Sequence, residues 1–211
     1  MKRKSLFLFI ILLMFTICLA ACGGKTYIVS FVTNCDTSVD AVSAKTIAEV
    51  QLPELSKEGY QLENWYTDAA YTNRLNDNTE LKSDITLYAK WEKLKYKVKF
   101  MVNDTIYDEQ EIEYGNNASQ PENPSLEGYN FGGWDNEFTN VKSDLIINAT
   151  FDIIQYTVKS MDGSREISSV KVEYGKDAIA PTDLDKTGYT FVSWDKEFTN
   201  VKSDLTVSAT Y

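Results

Sequence analysis

The chain has 211 residues, with 31 acidic and 21 basic side chains, no histidine and a formal net charge of -10. Without His there is no Ser-His-Asp or Cys-His nucleophile system, no imidazole proton shuttle and no His-ligated metal. The acidic balance argues against nucleic acid and disfavours anionic polymers and lipid headgroups as electrostatic partners, while 25% charged and 43% hydrophobic residues are ordinary for a globular protein.

The N-terminus reads as an export signal. Lys2, Arg3 and Lys4 form a basic start, and a largely apolar run of fourteen residues follows from Leu6 to Leu19. That run is short for crossing about 30 Å of hydrocarbon as a helix and suits the apolar region of a signal peptide. It closes in Leu19-Ala20-Ala21-Cys22, which resembles the lipobox of bacterial lipoproteins. The resemblance implies that residues 1–21 are removed and that Cys22 carries a diacylglyceryl thioether. It further implies that residues 22–26 form a short tether, with the membrane as a partner through the lipid. Each buried methylene of such an anchor contributes roughly 0.8 kcal/mol, so two chains hold where one is marginal. Losing three basic residues takes the mature net charge to about -13. Of the three cysteines only Cys35 remains free, so no intramolecular disulfide is expected, and Cys35 reads as a small half-buried residue at a strand end.

The rest is one module written three times, over 27–91, 96–151 and 156–211. Residues 113–151 and 173–211 are identical at 21 of 39 positions without a gap, and Glu137 to Leu145 recurs unchanged as Glu197 to Leu205. Module 1 is a more distant copy. Tyr27, Gly59, Tyr60 and Trp65 answer to Tyr96, Gly128, Tyr129 and Trp134 at an offset of 69, whereas Ser83-Asp84 answers to Ser143-Asp144 at 60. Nine extra residues therefore lie after Trp65, within 66–74.

Each module shows the same strand pattern. Tyr96, Val98, Phe100 and Val102 alternate with lysines, Val170, Val172 and Tyr174 with Lys171 and Glu173, and Leu205, Val207, Ala209 and Tyr211 with polar residues. A further strand is expected from Tyr189 to Trp194. The Pro181 region is too broken for a long helix. About four strands and at most one short helix fill 55 to 65 residues, enough for a small domain with a marginal core of its own. The connections Glu92-Lys93-Leu94-Lys95 and Asp152-Ile153-Ile154-Gln155 lack Gly, Ser and Pro, so they do not read as loose tethers.

The stretch Glu58-Gly59-Tyr60-Gln61-Leu62-Glu63-Asn64-Trp65-Tyr66-Thr67-Asp68, with Ile85-Thr86-Leu87-Tyr88-Ala89-Lys90-Trp91, resembles the Listeria–Bacteroides repeat, the internalin B-type repeat of bacterial surface proteins. Modules 2 and 3 look like shortened members. Asn34-Cys35-Asp36 stands where the family commonly has a Gly pair, and no leucine-rich repeats accompany the modules. The resemblance implies an α+β, mostly β, fold of three tandem β-grasp-like modules of about four strands each. It implies extracellular adhesion or ligand presentation, with no catalytic residue and no cofactor beyond the lipid.

Asp104, Asp108, Glu109, Glu111 and Glu113 read as a solvated strand face and turn. Asp135-Asn136-Glu137 lacks the rest of a Ca²⁺ loop and reads as turn chemistry. Trp65, Trp134 and Trp194, each preceded by Tyr60, Tyr129 or Tyr189, are expected in the module cores, with a carbohydrate-stacking platform as the alternative. Tyr66, Tyr71 and Arg74 in the module 1 insertion form the candidate binding loop, because Tyr and Arg are enriched in binding hot spots; folding back over module 1 is the competing reading for the two tyrosines. The expected function is that of a membrane-anchored, non-enzymatic surface lipoprotein with no metal site and no nucleic-acid partner. Its modules would adhere to, or space, a protein or carbohydrate ligand. Alternatives are a solute-binding or sensor lipoprotein and a carboxylate-dependent cell-wall enzyme.

Overall fold

Alternating apolar and charged residues become strands because a pleated strand sends successive side chains to opposite faces. The computed structural model describes residues 24–211; residues 1–21, expected to be a signal peptide, and Cys22 lie outside the described residues. In module 1, β1 (Tyr27–Val32), β2 (Val42–Ala44), β3 (Tyr60–Tyr66) and β4 (Ile85–Lys93) form a sheet in the order β2-β1-β4-β3. Module 2 repeats it with β5 (Lys95–Val102), β6 (Thr105–Glu113), β7 (Tyr129–Trp134) and β8 (Leu145–Ile153), ordered β6-β5-β8-β7. Module 3 does so with β9 (Gln155–Asp162), β10 (Arg165–Glu173), β11 (Ser193–Trp194) and β12 (Leu205–Thr210), ordered β10-β9-β12-β11. In each sheet the first and last strands are a central parallel pair, with Val29 opposite Ile85, Val98 opposite Leu145 and Leu205 opposite Val158. A parallel pair needs a long crossover, and the other two strands and their loops supply it.

Two expectations need correction. The helical part of the α+β class is absent among the described residues, where a single 3-10 turn, Ile47–Glu49, follows β2. The segments after β6 and β10 run as irregular chain past Pro121, Pro124 and Pro181, which cannot donate to a helix ladder. The strand expected from Tyr189 to Trp194 also shortens to Ser193–Trp194. In module 2, Tyr129 and Asn130 pair with Ile153 and Asp152, whereas no described residues pair with Tyr189 and Thr190 in this way.

Each module has its own core at equivalent positions. Val29, Val98 and Val158 on the first strands are fully buried, as are Leu87, Ile147 and Val207 on the last. Around them pack Ile47, Trp65 and Ala89 in module 1, and Phe100, Ala118 and Val141 in module 2. In module 3 their place is taken by Val172, Ala178, Phe198 and Val201. Burying one such aliphatic side chain contributes about 1.5–3 kcal/mol. The chain divides into two compact bodies. Among the described residues, one contains residues 24–56 together with Leu62–Trp91; the other contains Lys57–Gln61 and Glu92–Tyr211, and so carries modules 2 and 3.

Candidate functional site

The aromatic positions divide between interior and surface. Trp65 is 2% exposed and meets Phe31 edge-on with ring centroids 5.5 Å apart. Trp134 and Trp194 are half-buried. Trp134 packs on Phe100 at 4.9 Å and Phe131 at 5.5 Å, and its indole N–H is buried without a hydrogen-bond partner among the described residues. The tyrosines are not core: Tyr60 is half-buried, Tyr129 is 40% and Tyr189 64% exposed. Each follows a turn glycine, Tyr60 and Tyr129 opening β3 and β7 while Tyr189 precedes the shortened β11, and Lys57 covers the Tyr60 ring at 4.6 Å as Lys186 covers the Tyr189 ring at 5.0 Å.

The module 1 insertion folds back on its own sheet. Tyr66 is buried, its hydroxyl donating to Glu63 at 2.7 Å and its ring standing edge-on to Tyr71 at 5.5 Å. The loop closes on Asp68, whose carboxylate accepts from the backbone N–H groups of Ala70, Thr72 and Asn73 and from the Thr72 hydroxyl. These bonds, the one from the Thr72 backbone first, hold the Asp68 carboxyl below its ordinary range. Leu75 then returns to the Trp65 cluster and donates its N–H to the Trp65 carbonyl at 2.8 Å. Tyr71 is half-buried, so of the three candidate loop residues Arg74 is the exposed one. Cys35 is free and half-buried.

A constellation that sequence reasoning missed occurs twice within the second body. The backbone N–H of Leu94 donates to the Gly59 carbonyl at 2.9 Å, and that of Tyr114 to the Leu94 carbonyl at 2.8 Å. The Tyr114 ring lies against Gly59, where a β-carbon would come 2.8 Å from ring Cγ. Its hydroxyl donates to Glu58, and Lys142 adds an ion pair to the same carboxylate at 3.3 Å while standing over the Tyr114 ring. Between modules 2 and 3 the arrangement recurs. Ile154 donates to Gly128, Tyr174 to Ile154, and the Tyr174 ring covers Gly128. The Tyr174 hydroxyl donates to Glu127, and Lys202 pairs with that carboxylate at 3.5 Å. Donation from the tyrosine, then the lysine charge, holds Glu58 and Glu127 below the ordinary carboxylate range.

This joint explains much of the repeated stretch. The Phe138 and Phe198 carbonyls accept from Ala118 and Ala178, Val141 and Val201 fill the cores, and Lys142 and Lys202 serve the joints. Asp84, Asp144 and Asp204 each accept the N–H of Ile28, Lys97 or Thr157 at 2.8 to 2.9 Å, fixing where the first strand of each module enters. Asp135 accepts both the backbone N–H and the side-chain amide of Asn148, which is turn chemistry. The available signal was the recurrence of Glu-Gly and Tyr-Gly pairs, together with their loss elsewhere. By strand register, in which Ala44 pairs with Tyr27 as Ile112 pairs with Tyr96, Thr46-Ile47 stands at the module 1 counterpart of Tyr114-Gly115, and Thr187 stands at the module 3 counterpart of Glu127.

Three four-stranded sheets of one strand order, two joints of one design and a strand-entry aspartate in each copy define a tandem β-repeat protein. The chain belongs to the Listeria–Bacteroides repeat domain family, whose model matches residues 27–90, 96–153 and 153–210. It is also similar to two proteins of Evansella cellulosilytica. One, named "Putative membrane protein", is 36% identical over 186 residues, covering 81% of this chain and 28% of that protein. The other, named "Putative Gly-rich membrane protein", is 33% identical over 184 residues, covering 80% of this chain and 21% of that protein. The chain thus spans about a quarter of the length of these relatives.

Proposed function

We propose that the mature chain is a lipid-anchored protein on the extracytoplasmic face of a bacterial membrane, and that its tandem modules display or space an interaction surface without catalysing a reaction. The observation that carries this reading is the joint made twice from the same Glu, Gly, Tyr and Lys. A joint that links copies of one module serves reach and presentation, whereas an enzyme needs a unique site. The relatives named for membranes support the location, and Leu19-Ala20-Ala21-Cys22 supplies the attachment chemistry at Cys22. The sheet order with its central parallel pair favours the β-grasp-like reading of each module. Within module 1, the exposed outer edge of the insertion, with Arg74, is the surface proposed to meet a protein or carbohydrate partner. Metabolic labelling with a radiolabelled fatty acid tests the anchor: the intact chain takes up label and Cys22→Ser does not. Equal labelling of the two would overturn the anchored reading.

A further inference from the structure

We propose that module 2 carries a binding site for a neutral saccharide in the groove beside Trp134. This goes beyond the surface role above, concerns a different module from the insertion loop, and stands whether or not the chain is lipidated. The groove encloses about 530 Å³, within the range of small-molecule sites. Its floor is aromatic, made by the half-buried rings of Phe131, Trp134 and Phe138. Its rim is polar and exposed: Gln120, Asn136, Glu137 and Thr139.

The chemistry of the lining selects the ligand class. No Lys or Arg lines the groove, so a phosphate or carboxylate would meet no cation and would face the Glu137 carboxylate instead. Amide, carboxylate and hydroxyl groups together both donate to and accept from a hydroxyl-rich ligand. The Asn136 side-chain oxygen takes the Glu137 N–H at 2.9 Å, which leaves its NH₂ for a ligand oxygen. A pyranose meets both requirements, with a C–H face for the rings and hydroxyls for the rim. The indole N–H of Trp134 is buried and unpaired among the described residues, a buried donor left unsatisfied beside the groove.

Comparison among the modules localises the site. Gly133 lines the groove with φ 127°, and a β-carbon there would find no atom within 4 Å, so the wall is open at that point. Module 3 keeps the aromatic set as Phe191, Trp194 and Phe198 but changes the rim. Ala180 replaces Gln120, Ser193 replaces Gly133, and Lys196 replaces Asn136, its ammonium donating to the Thr206 carbonyl at 2.8 Å. In module 1 the counterpart Trp65 is 2% exposed beneath the chain that brings Leu75 back.

The test uses ¹⁵N-labelled chain from residue 22 onward, soluble as Cys22→Ser, titrated separately with maltohexaose, cellohexaose and N-acetylglucosamine tetramer. The indole N–H resonances of the four tryptophans are followed. At least one saccharide should move the Trp134 indole at up to about 10 mM while leaving Trp65 in place. The variant Gln120→Ala/Asn136→Lys/Glu137→Ala alters exposed residues only, and its first two changes install the module 3 rim. It should keep a folded amide spectrum and bind at least about tenfold more weakly. The proposal is overturned if none of the three saccharides moves the Trp134 indole, or if the folded variant binds as well as the parent. It is equally overturned if a proline-rich decapeptide moves that indole and the saccharides do not.

Discussion

Gly128 shows how one residue can report on a contact between modules. Its φ is 82°, in the left-handed region, and the Tyr174 ring occupies the space of its absent β-carbon. Gly188 has the same φ of 82° with nothing within 4 Å. Gly128→Ala and Gly188→Ala therefore share the backbone penalty of an alanine at positive φ, of at least about 1 kcal/mol, and differ by the ring. Denaturant melts should show the larger loss for Gly128→Ala; equal losses would mean that Tyr174 moves aside without cost. The tryptophans allow a second comparison. Trp65→Ala empties a closed core and should cost about 3–5 kcal/mol, while the half-buried Trp134 should cost measurably less. The sequence signal for the tryptophans was the recurrence of one large aromatic at an equivalent place in each module; Trp65 is buried, while Trp134 and Trp194 are half-buried. The tyrosines before them, half-buried at Tyr60 and exposed at Tyr129 and Tyr189, follow positive-φ glycines at the entry to the edge segment, and alternation does not reveal which end of a strand is covered.

At the scale of the element, the sheets were legible and the joints were not. Period-two alternation and the repeated Ser-Asp pairs mark the first and last strands of every module, and Asp84, Asp144 and Asp204 lie where those strands meet. The joints are made by Glu and Lys residues at the surface and by half-buried Tyr residues distant in sequence, 47 positions from Glu127 to Tyr174, and no local pattern pairs such residues. Their electrostatics give a pH prediction. Glu127 has its folded-state pKa lowered from an ordinary 4.5, first by the Tyr174 hydrogen bond and then by the Lys202 charge. A lowered pKa means that the undocked state takes up the proton first. The carboxylate's contribution is thus fully present above about pH 4.5 and is lost as pH falls through the lowered folded value. Side-chain ¹³C shifts of Glu127, read with the Tyr174 ring resonances, should show the ring releasing as that carboxyl protonates. Glu127→Gln should remove the pH dependence of the ring, and a Tyr174 ring that titrates identically in the variant would assign the effect to another group.

At the scale of the molecule, the question is whether modules 2 and 3 act as one cooperative unit. Each has its own buried cluster, Val98 with Phe100 and Ile147 in one, Val158 with Val201 and Val207 in the other, so each has the means to melt alone. Yet Ile154 is bonded on both sides, donating to Gly128 and accepting from Tyr174, and the Tyr174 ring sits on module 2 while its strand belongs to module 3. Unfolding either module therefore exposes a ring face and leaves Glu127 without its tyrosine and lysine partners. Small domains of this size are marginal, so a coupling of even 1–2 kcal/mol is a large share of the stability of each. Calorimetry of the chain should then show modules 2 and 3 melting in one transition of roughly 80 kcal/mol, from about 0.7 kcal/mol per residue near 60 °C, with van't Hoff and calorimetric enthalpies in agreement for that transition. Tyr174→Ala removes the ring and the hydroxyl from the joint while leaving both core clusters untouched. It should split the transition into two of about half that enthalpy, and the module that melts first can be assigned from the indole resonances of Trp134 and Trp194. If the parent already shows a calorimetric enthalpy twice its van't Hoff value, the joint orients the modules without coupling their stability, and its role is geometric alone.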